Sequence, residues 1–243
     1  MAPLLPDPDI APLNLPVPLH RATLVRRYKR FLADVIMEEG EECTVHIADP
    51  GRLPGLAVPG AAVWLSRSLD PRRKLAHRIE LIESGYGLVG LDTGNANRLV
   101  AEALACGRLP GLAGWTVAAR EPRLGVGTRL DFALRASDGR SGFLEVKNAT
   151  WRRGGVAAFP DAVTARGARH LTALAGLAAA DTPAFLLFVC QRADVEALTI
   201  AADIDPTYAA AFDAARAAGV GMLACRCKIN HCAISIAEAI PIV

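Results

Sequence analysis

Residues 184–190 (AFLLFVC) are apolar at every position and stop at Gln191-Arg192. A membrane span needs about 20 such residues; seven suit a strand buried on both faces. The segments around this run alternate in type. Residues 95–106 place Leu99, Ala103 and Leu104 at helical spacing and end at Gly107. Residues 116–119, 130–136 and 142–148 read as strands. Residues 161–180 are alanine-rich, with Leu171, Leu174 and Leu177 as a helical apolar face. A helix over 206–218 and a final strand over 221–229 complete the series. Helix, three strands, helix, strand, helix, strand predicts an α/β (α+β) domain with helices packed on a mixed sheet.

The first half has a different texture. Short strand patterns at 23–27, 43–47, 62–66 and 78–83 are separated by Asp49-Pro50-Gly51, Val58-Pro59-Gly60 and Asp70-Pro71. Several short strands with turn signals between them predict a small β-barrel, with an OB-like fold the natural candidate. The first 20 residues hold six prolines, which disfavour helix and sheet alike. The expected organisation is an extended arm over 1–18, a barrel over 19–85 and the α/β domain over 86–243.

Composition narrows the class. With 52% hydrophobic and 21% charged residues in 243, the chain can build real cores and is not a disordered polymer. The start lacks the basic residues and continuous apolar centre of a secretory signal, so the expected compartment is the cytoplasm. Of six cysteines only Cys225, Cys227 and Cys232 cluster. Their spacing is not that of a structural zinc site, and two of them lie in a strand pattern, so they read as small buried residues.

Chemistry concentrates in one hairpin, Arg129-Leu-Asp-Phe-Ala-Leu-Arg135, then Ser141-Gly-Phe-Leu-Glu-Val-Lys-Asn148. Alternation puts Leu130, Phe132 and Leu134 on one face of the first strand and Asp131, Ala133 and Arg135 on the other. On the second strand Glu145 and Lys147 project together. Register decides whether Asp131 joins them. A two-residue loop at Asp138-Gly139 separates the charges, whereas a three-residue loop, Ser137-Asp138-Gly139, pairs Asp131 with Glu145. The two Cβ atoms would then lie roughly 4.5–5.5 Å apart. Carboxylates that close need a positive charge between them, a divalent cation or a lysine. Mg²⁺, or Mn²⁺ in its place, suits hard oxygen ligands and would activate water at a phosphodiester, with Lys147 stabilising charge. Asp131, Glu145 and Lys147 are therefore the candidate catalytic residues. Asp131 and Glu145 are candidate metal ligands, and Glu102 on the preceding helix is a third. Arg166 and His170, four apart on one helical face, are candidate phosphate contacts.

The net charge of +2 hides an uneven distribution. Arg21, Arg26, Arg27, Lys29 and Arg30 crowd one window with Tyr28 and Phe31. Arg67, Arg72, Arg73, Lys74 and Arg78 crowd another. Basic residues interleaved with aromatics on an OB-like surface suit a nucleic-acid backbone and stacked bases. Arg152 and Arg153 extend that field beyond the Glu145 strand. Scattered solubilising charges are the plainer alternative.

RATLVRRYKRFLADV at 21–35, HIADPGRLPGL at 46–56 and NRLVAEAL at 97–104 also carry a family resemblance. So do RLDF at 129–132, LEVKNAT at 144–150 and FPDAVTARGARHL at 159–171. With these segments the chain resembles the sugar fermentation stimulation protein family (SfsA-type). The resemblance implies an OB-like domain followed by a domain similar to PD-(D/E)XK nucleases, and association with DNA and with regulation of sugar metabolism. The nuclease pattern falls on Asp131, Glu145 and Lys147, and leaves the role of Asp49 open. The expectation is a DNA-binding protein with a Mg²⁺-dependent phosphodiesterase site. The alternative is a non-catalytic DNA-binding module, or a co-regulator beside a transcription regulator. No membrane partner is expected, and the oligomeric state stays open, a homodimer included.

Overall fold

The all-apolar run, Ala184–Cys190, lies at the centre of a seven-stranded sheet, as a strand with no polar face must. The computed structural model describes residues 12–125 and 128–243. Chain order begins β1 (Leu13–Asn14), β2 (His20–Tyr28), β3 (Leu32–Met37), β4 (Glu42–Ile47), β5 (Ala62–Arg67), β6 (His77–Glu83) and β7 (Leu88–Gly90). It continues with α1 (Thr93–Ala105), β8 (Trp115–Arg120), β9 (Arg123–Leu124), β10 (Thr128–Arg129), β11 (Phe132–Ala136) and β12 (Ser141–Asn148). It ends with β13 (Arg152–Arg153), β14 (Val156–Phe159), α2 (Ala165–Ala179), β15 (Ala184–Cys190), β16 (Leu198–Ile200), α3 (Pro206–Ala217), β17 (Gly221–Ile229) and β18 (Ala233–Ala239).

The large sheet runs β1-β18-β17-β15-β12-β11-β8, with β15 parallel to both neighbours. Period-two alternation divides β15 between two cores. Leu187 and Val189 join Leu99, Val100 and Leu104 of α1 on one side. Leu186, Phe188 and Cys190 join Leu171 and Leu174 of α2 and Tyr208 and Phe212 of α3 on the other. The domain is thus a mixed sheet between helical layers, as its element order predicts. Among the described residues no helix is long and apolar enough to cross a membrane.

Strands β4-β3-β2-β5-β6 form the second sheet, and β4 pairs in parallel with β6 to close a five-stranded barrel. Inside it lie Leu24, Ala33, Val35, Val45, Ile47, Val63, Leu65 and Ile79.

Several expectations need correction. β3, β7 and β18 are missing from the sequence reading, as are the short strands β1, β9, β10, β13, β14 and β16. β7 pairs with β6, so the barrel's sheet runs past residue 85 to Gly90. The end of the proline-rich arm is not free. Leu13 and Asn14 pair with Ile234 and Ala233 at the sheet edge, where proline's missing donors do least harm. Residues 1–11 of that arm lie outside the described residues. Helix α2 starts at Ala165, not 161, because the Thr164 hydroxyl caps it by accepting from Gly167 N–H at 3.0 Å. Cys225 and Cys227 are buried in the α1-side core.

Candidate active site

The β11–β12 hairpin takes the three-residue turn. Ala136 N–H bonds to Arg140 C=O at 2.8 Å, and Gly139 adopts φ +89° at the third loop position. Phe132 therefore pairs with Leu144, and Asp131, one residue before the strand, stands across from Glu145. The chain bends at Asp131. Leu130 consequently does not share a face with Phe132 and Leu134; it enters the opposite, α2-side core.

That bend turns the Asp131 carboxylate back onto the hairpin. Oδ2 accepts from Val146 N–H at 2.8 Å, and Oδ1 accepts from Asn97 Nδ2 in the first turns of α1 at 2.8 Å. Burial and then the charge of Glu145 push Asp131 above its ordinary pKa, and its hydrogen bonds only partly offset them. Glu145 is 3% exposed. Its Oε1 accepts from Lys147 Nζ at 2.6 Å and is also the partner of His170 Nδ1. Arg166 Nε donates to His170 Nε2 at 3.4 Å, which leaves the ring proton on Nδ1, facing Glu145. Burial raises the Glu145 pKa most, but the His170 bond and the Lys147 charge together outweigh it and hold the group below its ordinary value. Glu145 Oε2 is buried with no hydrogen-bond partner.

These groups line a cleft of about 470 Å³ between barrel and sheet. Its other walls include Thr93, Asn148, Asp49 and Asp161, none of which the sequence reading chose. Asp49 is buried, accepts from Gly51 N–H at 2.8 Å and from Asn148 Nδ2 at 3.3 Å. Burial pushes its pKa up, and Asp161 adds to the rise. Asp161 Oδ2 accepts from Arg52 and Leu53 N–H at 2.7 and 3.2 Å, tying the α2 side to the barrel. In the sequence Asp49 is hidden inside a turn signal and Asp161 inside what reads as a helix.

Glu102 is not at the cleft. It follows Asn97 by five positions, about 140° around the helix, so the two cannot face one site. Arg152 stacks over Tyr86, 4.0 Å from the ring centroid, and pairs with Asp194. Arg153 forks onto Asp203 at 2.9 and 3.0 Å. Neither lines the cleft. Of the first basic window, Arg27 and Arg30 matter here. With Arg52 they line an adjoining groove of about 500 Å³, and Arg27 Nη2 donates to Asp49 C=O at 2.8 Å. Arg26 is paired with Asp34 and Arg21 with Glu38, while Lys29 is exposed on the β2–β3 turn. Arg72 pairs with Asp70; it, Arg73 and Lys74 belong to the β5–β6 loop, away from the cleft.

Among the described residues no three His, Cys, Asp or Glu side chains converge on one ready cation position. The cleft's oxygen donors are the adjacent carboxylates of Asp131 and Glu145, the latter with an unpartnered buried oxygen, and those of Asp49 and Asp161 on the facing wall. That set fits Mg²⁺ better than zinc, since Mg²⁺ is commonly held by one or two carboxylates and otherwise by water and phosphate.

The chain matches the family models "SfsA N-terminal OB domain" over residues 25–91 and "Sugar fermentation stimulation protein RE domain" over residues 94–232. It is 47% identical over 225 residues to a sugar fermentation stimulation protein homolog of Rhodospirillum centenum, covering 92% of this chain and 97% of that one. A homolog from Azorhizobium caulinodans is 44% identical over 234 residues, covering 94% and 99%. A solved structure of Pyrococcus furiosus SfsA in complex with Ca²⁺ superposes with TM-score 0.86 at 26% identity, covering 95% of this chain and 98% of that one.

Proposed function

This chain belongs to the sugar fermentation stimulation protein family, and from that premise we propose a DNA-binding protein whose cleft is a metal-dependent phosphodiesterase site. The carrying observation is the buried, unpartnered Glu145 Oε2 beside Asp131, whose charge burial and Glu145 disfavour. A cation there would relieve both costs. The Ca²⁺ bound by the Pyrococcus furiosus relative supports a hard-cation site in this fold.

Asp131 and Glu145 would hold the ion. When bound, it polarises a phosphodiester and lowers the pKa of a water. Val146 N–H and Asn97 hold the Asp131 carboxylate in one orientation, and His170 does the same for Glu145. Lys147, 14% exposed and on the cleft wall, offers an ammonium to a phosphate oxygen. Arg27, Arg30 and Arg52 give the approaching backbone a basic track into the cleft.

One observation favours the second reading, a module that binds DNA without cutting it. Lys147 already bonds Glu145 Oε1 and neutralises that carboxylate without an ion. Labelled single- and double-stranded DNA and RNA incubated with Mg²⁺ or Mn²⁺ separates the two. The expected outcome is metal-dependent cleavage that falls about 100-fold in Lys147→Ala, with a Mg²⁺ binding heat that disappears in Asp131→Asn/Glu145→Gln. Equal residual cleavage in wild type and variant removes the catalytic assignment. Salt-sensitive DNA binding without that heat selects the second reading.

A further inference from the structure

A second basic concavity lies at the β5–β6 end of the barrel and shares no lining residue with the cleft. It holds about 190 Å³. Arg67, Arg73 and Arg78 face it together with His46, His77 and the Ser66–Ser68 segment. The loop that carries Arg73 is closed by Ser68 N–H donating to Ala76 C=O at 2.7 Å. One wall is Pro16, whose neighbour Leu15 is pinned by its N–H to Cys232 C=O at 2.7 Å. The concavity is therefore formed by three separate parts of the chain and does not depend on one mobile side chain.

Charge there is only partly compensated. Arg78 is anchored, giving Nε and Nη2 to Glu80 Oε1 at 2.9 and 2.7 Å and Nη1 to Asp92 at 2.9 Å. Those three bonds leave two of its five N–H donors. The guanidinium groups of Arg67 and Arg73 make no hydrogen bond or ion pair with a described residue. The one carboxylate on their loop, Asp70, is taken by Arg72 in a forked pair at 3.0 Å. His46 and His77 register the resulting field. Burial lowers their pKa values first, and then Arg78 acts on His46 and Arg67 on His77, ahead of the small opposing effects of Asp92 and Glu41.

Two free guanidinium forks, a fixed third one and two imidazoles around a space for one small group match the donor pattern of a phosphoryl anion. We infer that this concavity is a phosphate-binding site, separate from the cleft, with Arg67 and Arg73 as its principal ligands. The phosphoryl group can belong to a nucleic-acid backbone or to a free phosphate ester. The site stands on its own residues and does not require the cleft to cut DNA.

Titration calorimetry and ³¹P line broadening on the full chain test it, with inorganic phosphate as probe and acetate as the control anion. Wild type should bind phosphate saturably and acetate not. Arg67→Ala/Arg73→Ala should weaken phosphate binding at least about tenfold with unchanged thermal midpoint, while Arg30→Ala/Arg52→Ala, which removes basic groups beside the cleft, should retain it. The inference is overturned by the absence of saturable binding, by equal binding in the Arg67→Ala/Arg73→Ala variant, or by loss of binding in the Arg30→Ala/Arg52→Ala variant, which would put the phosphate at the cleft. A second arm identifies the source. Displacement of phosphate by a DNA oligonucleotide, with a salt slope lowered by about 1 in the Arg67→Ala/Arg73→Ala variant, assigns the site to a phosphodiester backbone. No displacement and an unchanged slope assign it to a free phosphate ester.

Discussion

Gly51 shows how tightly single residues are held at the cleft. Its φ is ordinary, so any residue could adopt its backbone, but there is no room for one. A Cβ would stand 2.6 Å from Asp161 Oδ2 and 3.0 Å from Asp49 Oδ1. Asp161 Oδ2 cannot step aside without losing its bonds from Arg52 and Leu53 N–H. Gly51→Ala should therefore destabilise the protein by about 1–3 kcal/mol, the cost of leaving buried polar partners unmade. Gly176, in helix α2 with open space around its Cβ position, supplies the contrast. There, alanine should stabilise by about 0.5–1 kcal/mol through helix propensity. Urea midpoints of both variants check the pair, and an unchanged midpoint for Gly51→Ala would refute the close-packing argument. The trio Asp131, Glu145 and Lys147 was legible because a three-residue turn and period-two alternation bring the three together locally. Asp49, Asn97 and Asp161 were not, since each reaches the cleft from a distant segment. No local pattern marks such a contact.

At the scale of elements, the strand missed in the barrel carries its own acid-sensitive clamp. Asp34 sits in β3 between β2 and β4. Oδ1 accepts from Thr44 Oγ1 at 2.8 Å and from Tyr28 OH at 2.9 Å, and Oδ2 accepts from Arg26 Nε at 2.7 Å. The bonds from Thr44 and then Arg26 hold its pKa below the ordinary carboxylate value. A carboxylate whose folded pKa is depressed stabilises the fold above its unfolded pKa of about 3.9 and loses that contribution as pH falls through the folded value. The stability gap between wild type and Asp34→Asn should be constant above about pH 5 and shrink below pH 4. Denaturation midpoints from pH 7 to 3 measure it, and a gap that persists undiminished at pH 3 would falsify the clamp. The same aspartate helps explain why β3 was illegible. Its sequence, LADVIM, follows a basic run and contains a charge whose partners lie on neighbouring strands. β18, which follows an Asn-His-Cys turn, was lost for a different reason: the preceding strand looked like a natural end. The long elements β15 and β17 and helix α3 were readable because their apolar residues, continuous in β15, are dense enough to need no partner for recognition.

For the molecule as a whole, the barrel and the sheet domain are joined by more than a linker. Gly90 N–H donates to Gln191 C=O at 2.9 Å, and Val89 forms a β-bridge with Arg192. Fully buried Gln191 donates its side-chain amide to Asp92 C=O at 2.9 Å and to Asn148 Oδ1 at 2.8 Å. Leu81 of the barrel packs in the same apolar cluster as Leu99 and Leu104 of α1. Asp161 and Asn148 reach back to the Asp49–Leu53 turn, so the cleft walls are interdomain contacts themselves. Loss of either domain would expose shared core and strand the buried polar groups of the other, which penalises any half-folded state. The chain should consequently unfold in one calorimetric transition, with calorimetric and van't Hoff enthalpies in agreement. Gln191→Ala removes both side-chain bonds at the seam and should cost about 2 kcal/mol. For a chain of this length that is a fall of roughly 4–8 °C in Tm, with the transition still single. Two resolved transitions in the wild type, or a split produced by Gln191→Ala alone, would mean that the domains fold independently. The cleft would then be a surface between two separate bodies, and the fixed orientation of Asp131 against Asp49 across it would not be a property of the native state.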